Sequence, residues 1–300
     1  MINVCLAGTG GMLPLPNRWL TCFWLDYNGK AALIDCGEGT QITLAKQGCK
    51  LSRLDALLIT HAHADHISGL PGLLLSLGNY GKTDTLTIYG HEGISAVIEQ
   101  LCCICPMLPF PLEVVELSDT EISSFSWNGL EIQSLPLRHR IPCLGYSFKL
   151  HRNPVFNPQK AQNAGIPLQF WKALHAGETI TTENAVYTPD MVTDETRPPI
   201  KITYMTDTLY FEEMTEFAKD SDLLVCEGMY GDDEMLPKMQ EKMHMVFSQA
   251  ATLAKDAAVK ELWLTHYSPA LTDPAEYEEM VQAIFPDTVV STDGQRMTLK

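Results

Sequence analysis

The run Leu57-Leu58-Ile59-Thr60-His61-Ala62-His63-Ala64-Asp65-His66 constrains this chain more than any other stretch, because it places four metal-ligating side chains within six residues, directly after an apolar strand. A strand carries the backbone to a sheet edge, and the loop that leaves it can turn His61, His63, Asp65 and His66 toward one point. Neutral imidazole and carboxylate are the ligands of catalytic zinc, at roughly 2.0–2.2 Å, with a position left open for water. His61 and His63 suit one ion, and the adjacent Asp65-His66 pair suits a second about 3.5–4 Å away, the spacing of two-metal hydrolytic sites. The alternative is a histidine-rich surface loop, which has no need of the strand before it or the glycine-containing helix start after it.

The surrounding pattern is α/β. Ile2–Ala7 reads as a short strand into Gly8-Thr9-Gly10-Gly11, and Thr21–Tyr27 pairs with Ala31–Asp35 through an Asn28-Gly29 hairpin turn. A second glycine loop, Cys36-Gly37-Glu38-Gly39-Thr40, precedes a helix from Gln41 to about Gln47. Further strands are expected at Ala56–Thr60, Leu86–Tyr89, Glu131–Leu137, Ile200–Met205, Asp222–Cys226 and Glu261–Thr265, with a helix over about Phe247–Ala258. Val155–Gly177, with a helix-like Leu168–His175, has no strand alternation and reads as an inserted arm. Three more strand ends stop at ligand-type residues: the strand before Arg138 delivers His139, Lys201–Thr206 delivers Asp207, and Leu262–Thr265 delivers His266. A lone histidine of this kind is usually structural; four strand ends converging on such residues indicate a metal centre. Asp207 is suited to bridge two cations, since a carboxylate has an oxygen for each.

At 300 residues and 45% hydrophobic content the chain can bury a substantial core. No apolar run reaches the roughly eighteen residues of a membrane span, and Met1-Ile2-Asn3-Val4-Cys5 lacks a basic signal-peptide start, so a cytoplasmic protein without a membrane partner is expected. The nine cysteines read as reduced thiols, including the Cys102-Cys103-Ile104-Cys105 spacing. Net charge is -16, yet Ile132–Gly177 contains no acid and six cations: Arg138, Arg140, Lys149, Arg152, Lys160 and Lys172. Such segregation fits either a docking face for a polyanion or a core-rich stretch that happens to lack acids.

His61-x-His63-x-Asp65-His66, His139, Asp207 and His266, in that order, resemble the ligand series of the metallo-β-lactamase superfamily. Asp35-Cys36-Gly37-Glu38-Gly39-Thr40-Gln41, Thr60–Leu70, His139-Arg140-Ile141-Pro142 with Gly145-Tyr146, Tyr204–Thr208, Gly165-Ile166-Pro167 and Leu264–Ser268 narrow the resemblance to the ribonuclease Z family, over nearly the whole chain. The resemblance implies an α/β, four-layer αββα sandwich over residues 1–300, with 151–177 as an arm that docks tRNA. It implies two Zn2+ per chain, with Mn2+ or Fe2+ as substitutes. His61, His63 and His139 would hold the first ion, Asp65, His66 and His266 the second, and Asp207 would bridge them. Asp65 would also orient the attacking hydroxide, His244 would protonate the leaving 3′ oxygen and Glu227 would orient His244. The implied activity is endonucleolytic removal of the 3′ trailer from precursor tRNA by a homodimer.

Two departures from the family pattern bear on substrate. The loop that reads Pro-x-Lys-x-Arg-Asn in the family is Pro14-Leu15-Pro16-Asn17-Arg18-Trp19 here, keeping Pro14 and Arg18, and Gly165-Ile166-Pro167 is not followed by the family's Gly-Pro. Arg18, Arg152, Lys160 and Lys172 are the expected substrate contacts, and His91 is expected to be structural. Two other functions fit the same residues: a phosphodiesterase of the same fold acting on a small nucleotide or other phosphoester, and a non-catalytic RNA-binding module. The convergent ligands weigh against the last.

Overall fold

The chain opens with three strands, β1 (Ile2–Gly8), β2 (Cys22–Tyr27) and β3 (Lys30–Ile34), each antiparallel to the one before. The β2–β3 reversal is the Asn28-Gly29 turn, with φ of 48° and 80°, the left-handed pair that a two-residue hairpin needs and that Asn and Gly adopt readily. Strands β4 (Leu54–Leu58), β5 (Leu86–His91) and β6 (Leu112–Leu117) then add in parallel, and the C-terminal strand Gln295–Leu299 closes the other edge against β1. Helices α1 (Thr40–Lys46), α2 (Ala64–Ile67), α3 (Leu70–Asn79) and α4 (Ile94–Leu101) lie along this half of the chain.

The second sheet begins with β7 (Ser123–Trp127) and β8 (Leu130–Pro136), turned by Asn128-Gly129 with φ of 49° and 83°. It continues through β9 (Leu144–Leu150), β12 (Ile200–Met205), β13 (Leu223–Glu227), β14 (Leu262–Thr265) and β15 (Thr288–Val290). Helices α7 (Glu213–Ala218), α8 (Leu236–Lys242), α9 (Phe247–Asp256) and α10 (Glu278–Ile284) accompany these strands. In this computed structural model, residues 1–105, 107–195 and 197–300 are described, and they divide into the unit Met1–Phe148 plus Lys201–Lys300 and the unit Lys149–Ile200.

Burial on both faces of each sheet explains why the strands read as continuous apolar runs. On the outer face of the first sheet, Cys22, Trp24, Leu33 and Leu57 pack with Leu44 of α1, Leu73 of α3 and Ile98 of α4. On the outer face of the second, Leu224, Leu262 and Leu264 pack with Met214 of α7, Phe247 and Ala251 of α9 and Val281 of α10. The inner faces meet each other. Phe23 and Tyr204 lie 5.8 Å apart by ring centroids, Thr21 and Thr265 share a 2.7 Å hydroxyl contact, and Tyr146 Oη donates to Ile59 O at 2.6 Å. Helix, sheet, sheet, helix is the resulting order, the αββα sandwich.

The unit Lys149–Ile200 contains α5 (Pro158–Asn163), α6 (Leu168–His175) and the two-residue strands β10 (Ile180–Thr181) and β11 (Val186–Tyr187). Ala161, Ile166, Leu174 and Val192 form its small core, with Phe156, Phe170 and Trp171 against it. It runs on past Gly177 and so takes in Glu178, Glu183, Asp190, Asp194 and Glu195 beside Lys149, Arg152, Lys160, Lys172 and Arg197. The part of the acid-free stretch from Lys149 to Gly177 thus folds with a compensating acidic one, Arg138 and Arg140 belong to the larger unit, and the Lys149–Ile200 unit carries no net charge.

Tyr146 is fully buried, and its phenol ties β9 to the end of the β4 segment. Tyr146→Phe keeps the packing and orphans Ile59 O, so a loss of about 1–3 kcal/mol is expected. Urea unfolding should show a lower midpoint at unchanged slope.

Candidate metal centre

The ligand candidates sit where strands end. His61 leaves the chain just after β4, and His63, Asp65 and His66 follow on the turn into α2. His139 follows β8, Asp207 follows β12 and His266 follows β14. Asp207 and His266 take left-handed φ values of 56° and 62°, which turn each side chain sharply from its strand direction. Such conformations cost energy for residues with a Cβ and cluster at functional sites.

Two cages of donor atoms result. In one, His66 Nε2 and His266 Nε2 are 3.2 Å apart, each lies 3.3 Å from Asp207 Oδ2, and they lie 3.6 and 3.5 Å from Asp65 Oδ2. Four donors about 2.0–2.2 Å from a tetrahedral ion would be separated by about 3.3–3.6 Å. The distances from Asp65 and from Asp207 to the two histidines lie in that range, and Asp65, His66 and His266 group tightly enough to share one metal ion. In the other cage His63 Nδ1 lies 2.9 Å from His61 Nε2 and 3.2 Å from His139 Nε2, with Asp207 Oδ1 3.8 Å from His61 Nε2. Asp207 presents one oxygen to each cage.

Hydrogen bonds behind the cages aim the lone pairs. Asp35 is fully buried, and its Oδ2 accepts from His66 Nδ1 at 2.7 Å, so His66 Nε2 is left as the lone-pair nitrogen. The Thr60 hydroxyl donates to Asp35 and can then only accept from His61 Nδ1, at 3.0 Å, which leaves His61 Nε2 toward the cage. His139 Nδ1 donates to Met243 O at 3.2 Å with the same effect. Such partners behind a ligand set its tautomer and basicity. Burial lowers the pKa values of His61, His63 and His139, which keeps them in the neutral, ligating form. Burial also pushes Asp207 upward, but the surrounding histidines, His266 and His66 first, hold it well below the usual carboxylate range. Although burial opposes it, the carboxylates of Asp207 and Asp35 raise His66 well above the usual histidine range, so a proton holds the place beside Asp207 that a metal cation would take over.

Glycines bring the first loop in. A Cβ on Gly11 would lie 2.7 Å from His266 Cε1, so only glycine lets the backbone pass this ring, and the next residue, Met12, donates its N–H to Asp65 Oδ2 at 2.6 Å. On the opposite side Glu227, fully buried at the end of β13, accepts from Thr208 N at 2.5 Å and from His244 Nδ1 at 2.9 Å. Burial alone would lower His244; the Glu227 charge and hydrogen bond overcome it and raise the pKa to about 9.

All seven expected ligands, with His244 and Glu227, are thus brought together. Arg18 is placed otherwise: its guanidinium donates to the carbonyls of Ser268, Leu271 and Thr272 and braces the loop after His266. Arg152, Lys160 and Lys172 belong to the Lys149–Ile200 unit, where Arg152 Nε donates to Pro198 O and Lys160 Nζ to Thr193 O. His91 is buried with its Nδ1 on Glu92 O. Sequence reading left Asp35, Thr60, Gly11 and Met12 without roles. Asp35 stood in the Asp-Cys-Gly-Glu-Gly-Thr-Gln string, a signal that marked the position but carried no geometry.

Asp35→Asn removes the carboxylate that holds both Thr60 and His66, and divalent metal affinity should fall about 10–100-fold. Retained metal, measured after dialysis against a graded chelator series, checks this; wild-type retention would show that the ligands orient without Asp35.

Comparison with known proteins agrees with this geometry. Residues 31–267 match the Beta-lactamase superfamily domain. A ribonuclease Z of Lachnospira eligens is 45% identical over 300 residues, covering 100% of this chain and 98% of that one. A ribonuclease Z of Clostridium acetobutylicum is 46% identical over 298 residues, covering 98% and 96%. Among solved structures, human tRNase Z, short form, superposes with a TM-score of 0.71 at 25% identity, with both chains covered in full. A paired-cage site of histidines and aspartates on an αββα frame, with full-length relatives of this identity, places the chain in the ribonuclease Z family, the metal-dependent endoribonucleases of the metallo-β-lactamase superfamily.

Proposed function

We propose that this chain removes the 3′ trailer of precursor tRNA by endonucleolytic hydrolysis, in the cytoplasm, as a homodimer with two zinc ions in each subunit. The observation that carries the reading is the pair of donor cages joined by Asp207, set in a chain similar along its whole length to proteins named ribonuclease Z. His61, His63, His139 and Asp207 Oδ1 would hold one ion, and Asp65, His66, His266 and Asp207 Oδ2 the other. Two divalent cations there would lower the pKa of bound water and take up charge developing on the phosphate oxygens.

The protein's own groups supply the rest. Asp65 faces the pocket with its Oδ2 anchored by Met12 N, which supports its role as the carboxylate that would orient the attacking water. His244 lines the same pocket, and Glu227 holds its Nδ1, so the other ring nitrogen would deliver a proton to the leaving 3′ oxygen. A pKa raised to about 9 keeps that proton in place at neutral pH.

His244→Ala should lower kcat on precursor tRNA by about 10²–10⁴-fold with bound metal unchanged. Bis(p-nitrophenyl) phosphate should suffer much less, because its leaving group departs without a proton. Equal losses on the two substrates would make His244 a substrate-positioning residue.

One observation favours the second reading, a small-phosphoester phosphodiesterase: the Lys149–Ile200 unit is electrically balanced rather than basic. If the unit docks RNA, its exposed cations act locally on phosphates. Arg152, Lys160 and Lys172 changed together to alanine should then raise KM for precursor tRNA and flatten its salt dependence, because fewer counterions are released. Hydrolysis of bis(p-nitrophenyl) phosphate should not change. Lys172→Ala alone, at an exposed position of α6, should show the same direction without disturbing the carbonyl contacts of Arg152 and Lys160. Unaltered processing of precursor tRNA by both variants would favour the small substrate.

A further inference from the structure

Away from the metal centre, one pair of thiols differs from the other cysteines of the chain. Cys5 on β1 and Cys49, in the turn after α1, line one pocket of about 250 Å³ together with Arg296, Lys50, Arg53 and Asp26. Cys49 packs against the apolar cluster that contains Cys5, and both residues line the same pocket. Arg296, on the C-terminal edge strand, donates to Gln47 O and so holds its guanidinium beside Cys49. Asp26, an acid lining that pocket, is tied to Arg53 at 2.6 Å.

The arrangement makes the two sulfurs unequal. Cys5 is buried and Cys49 is half-buried, within reach of a small solute. The neighbouring Cys5 thiol, first, and the charge of Arg296 lower the Cys49 thiol despite partial burial. Burial instead raises Cys22, Cys36, Cys143 and Cys226. A thiolate beside a cation, with a second thiol in contact, is the environment of a reactive and resolving pair.

We propose that Cys49 is a peroxide-reactive site and that Cys5 resolves it to an intramolecular disulfide. The Cys49 thiolate attacks one oxygen of hydrogen peroxide, the O–O bond breaks, hydroxide leaves and a sulfenic acid forms; the sulfur loses two electrons and the peroxide gains them. Cys5 then gives up its proton and attacks the Cys49 sulfur. The S–O bond breaks, and hydroxide leaves with that proton as water. The product ties β1 to the turn after α1, and a reductant of the thiol class reverses it.

The test uses the full-length, metal-loaded protein. N-ethylmaleimide at neutral pH should label Cys49 several-fold faster than Cys103, although Cys103 is the exposed cysteine and would lead if accessibility alone decided. Arg296→Gln should slow labelling of Cys49 and leave that of Cys103 unchanged. Limiting hydrogen peroxide should yield a peptide pair joined through Cys5 and Cys49 and lighter by two hydrogens. Cys5→Ser should instead leave a sulfenic acid on Cys49 that dimedone traps. Labelling of Cys103 at least as fast as Cys49, or peroxide oxidation of the wild-type protein without a Cys5–Cys49 link, overturns the proposal.

Discussion

The carboxylate of Asp207 is the interaction on which both halves of the structure converge. It is almost fully buried, and it faces His61 with one oxygen and His66 and His266 with the other. His61 and His66 come from the first sheet, and His266 and Asp207 itself from the second. A buried carboxylate without compensation would cost several kcal/mol. The two sheets therefore have to meet in a register that brings the histidines to it, and the inner-face contacts Phe23–Tyr204 and Thr21–Thr265 hold that register. The same left-handed backbone that aims Asp207 recurs at His266 and at Asp35, so strain is concentrated where strand ends become site.

A second carboxylate governs precision rather than convergence. Asp35 makes no contribution to either donor cage, yet through Thr60 and His66 it decides which nitrogen of His61 and of His66 faces inward. Gly37 and Gly69 serve the same segment. A Cβ at Gly37 would meet Asp65 O at 2.0 Å, and one at Gly69 would meet Gly37 O at 1.9 Å, so the loop carrying Asp35 and the turn carrying Asp65 and His66 lie backbone to backbone. Packing this tight leaves the ligands little rotational freedom, which is what preorganises a polar site before its cation arrives.

Much of this was legible in the chain itself. The histidine run, the strand ends at His139, Asp207 and His266, and the Asn28-Gly29 hairpin declare themselves by residue type and spacing. Glu227 and His244 were reached through family resemblance, and their 2.9 Å contact across 17 residues of sequence has no local signal. The expected strand Ala56–Thr60 stops at Leu58, because Thr60 gives its N–H to Asp35 rather than to a neighbouring strand. The strands β7 and β9 were not anticipated. Ser123–Trp127 is too polar to read as a core strand, and it joins the sheet edge through Asn128-Gly129.

The sequence by itself determined which residues could bind metal and in what order they occur, since ligand chemistry belongs to the side chain and strand ends follow from apolar periodicity. Only the tertiary structure decided which nitrogen each histidine presents, because that depends on partners such as Asp35, Thr60 and Met243 far away along the chain. It also decided the use of the cations. Arg18 could serve a phosphate as a sequence feature, but once folded its guanidinium meets three backbone carbonyls. The Lys149–Gly177 part of the acid-free run became part of a neutral unit for a similar reason: charge along a chain is one-dimensional, and the acids that balance it arrive only when residues 178–195 fold back onto the same small core.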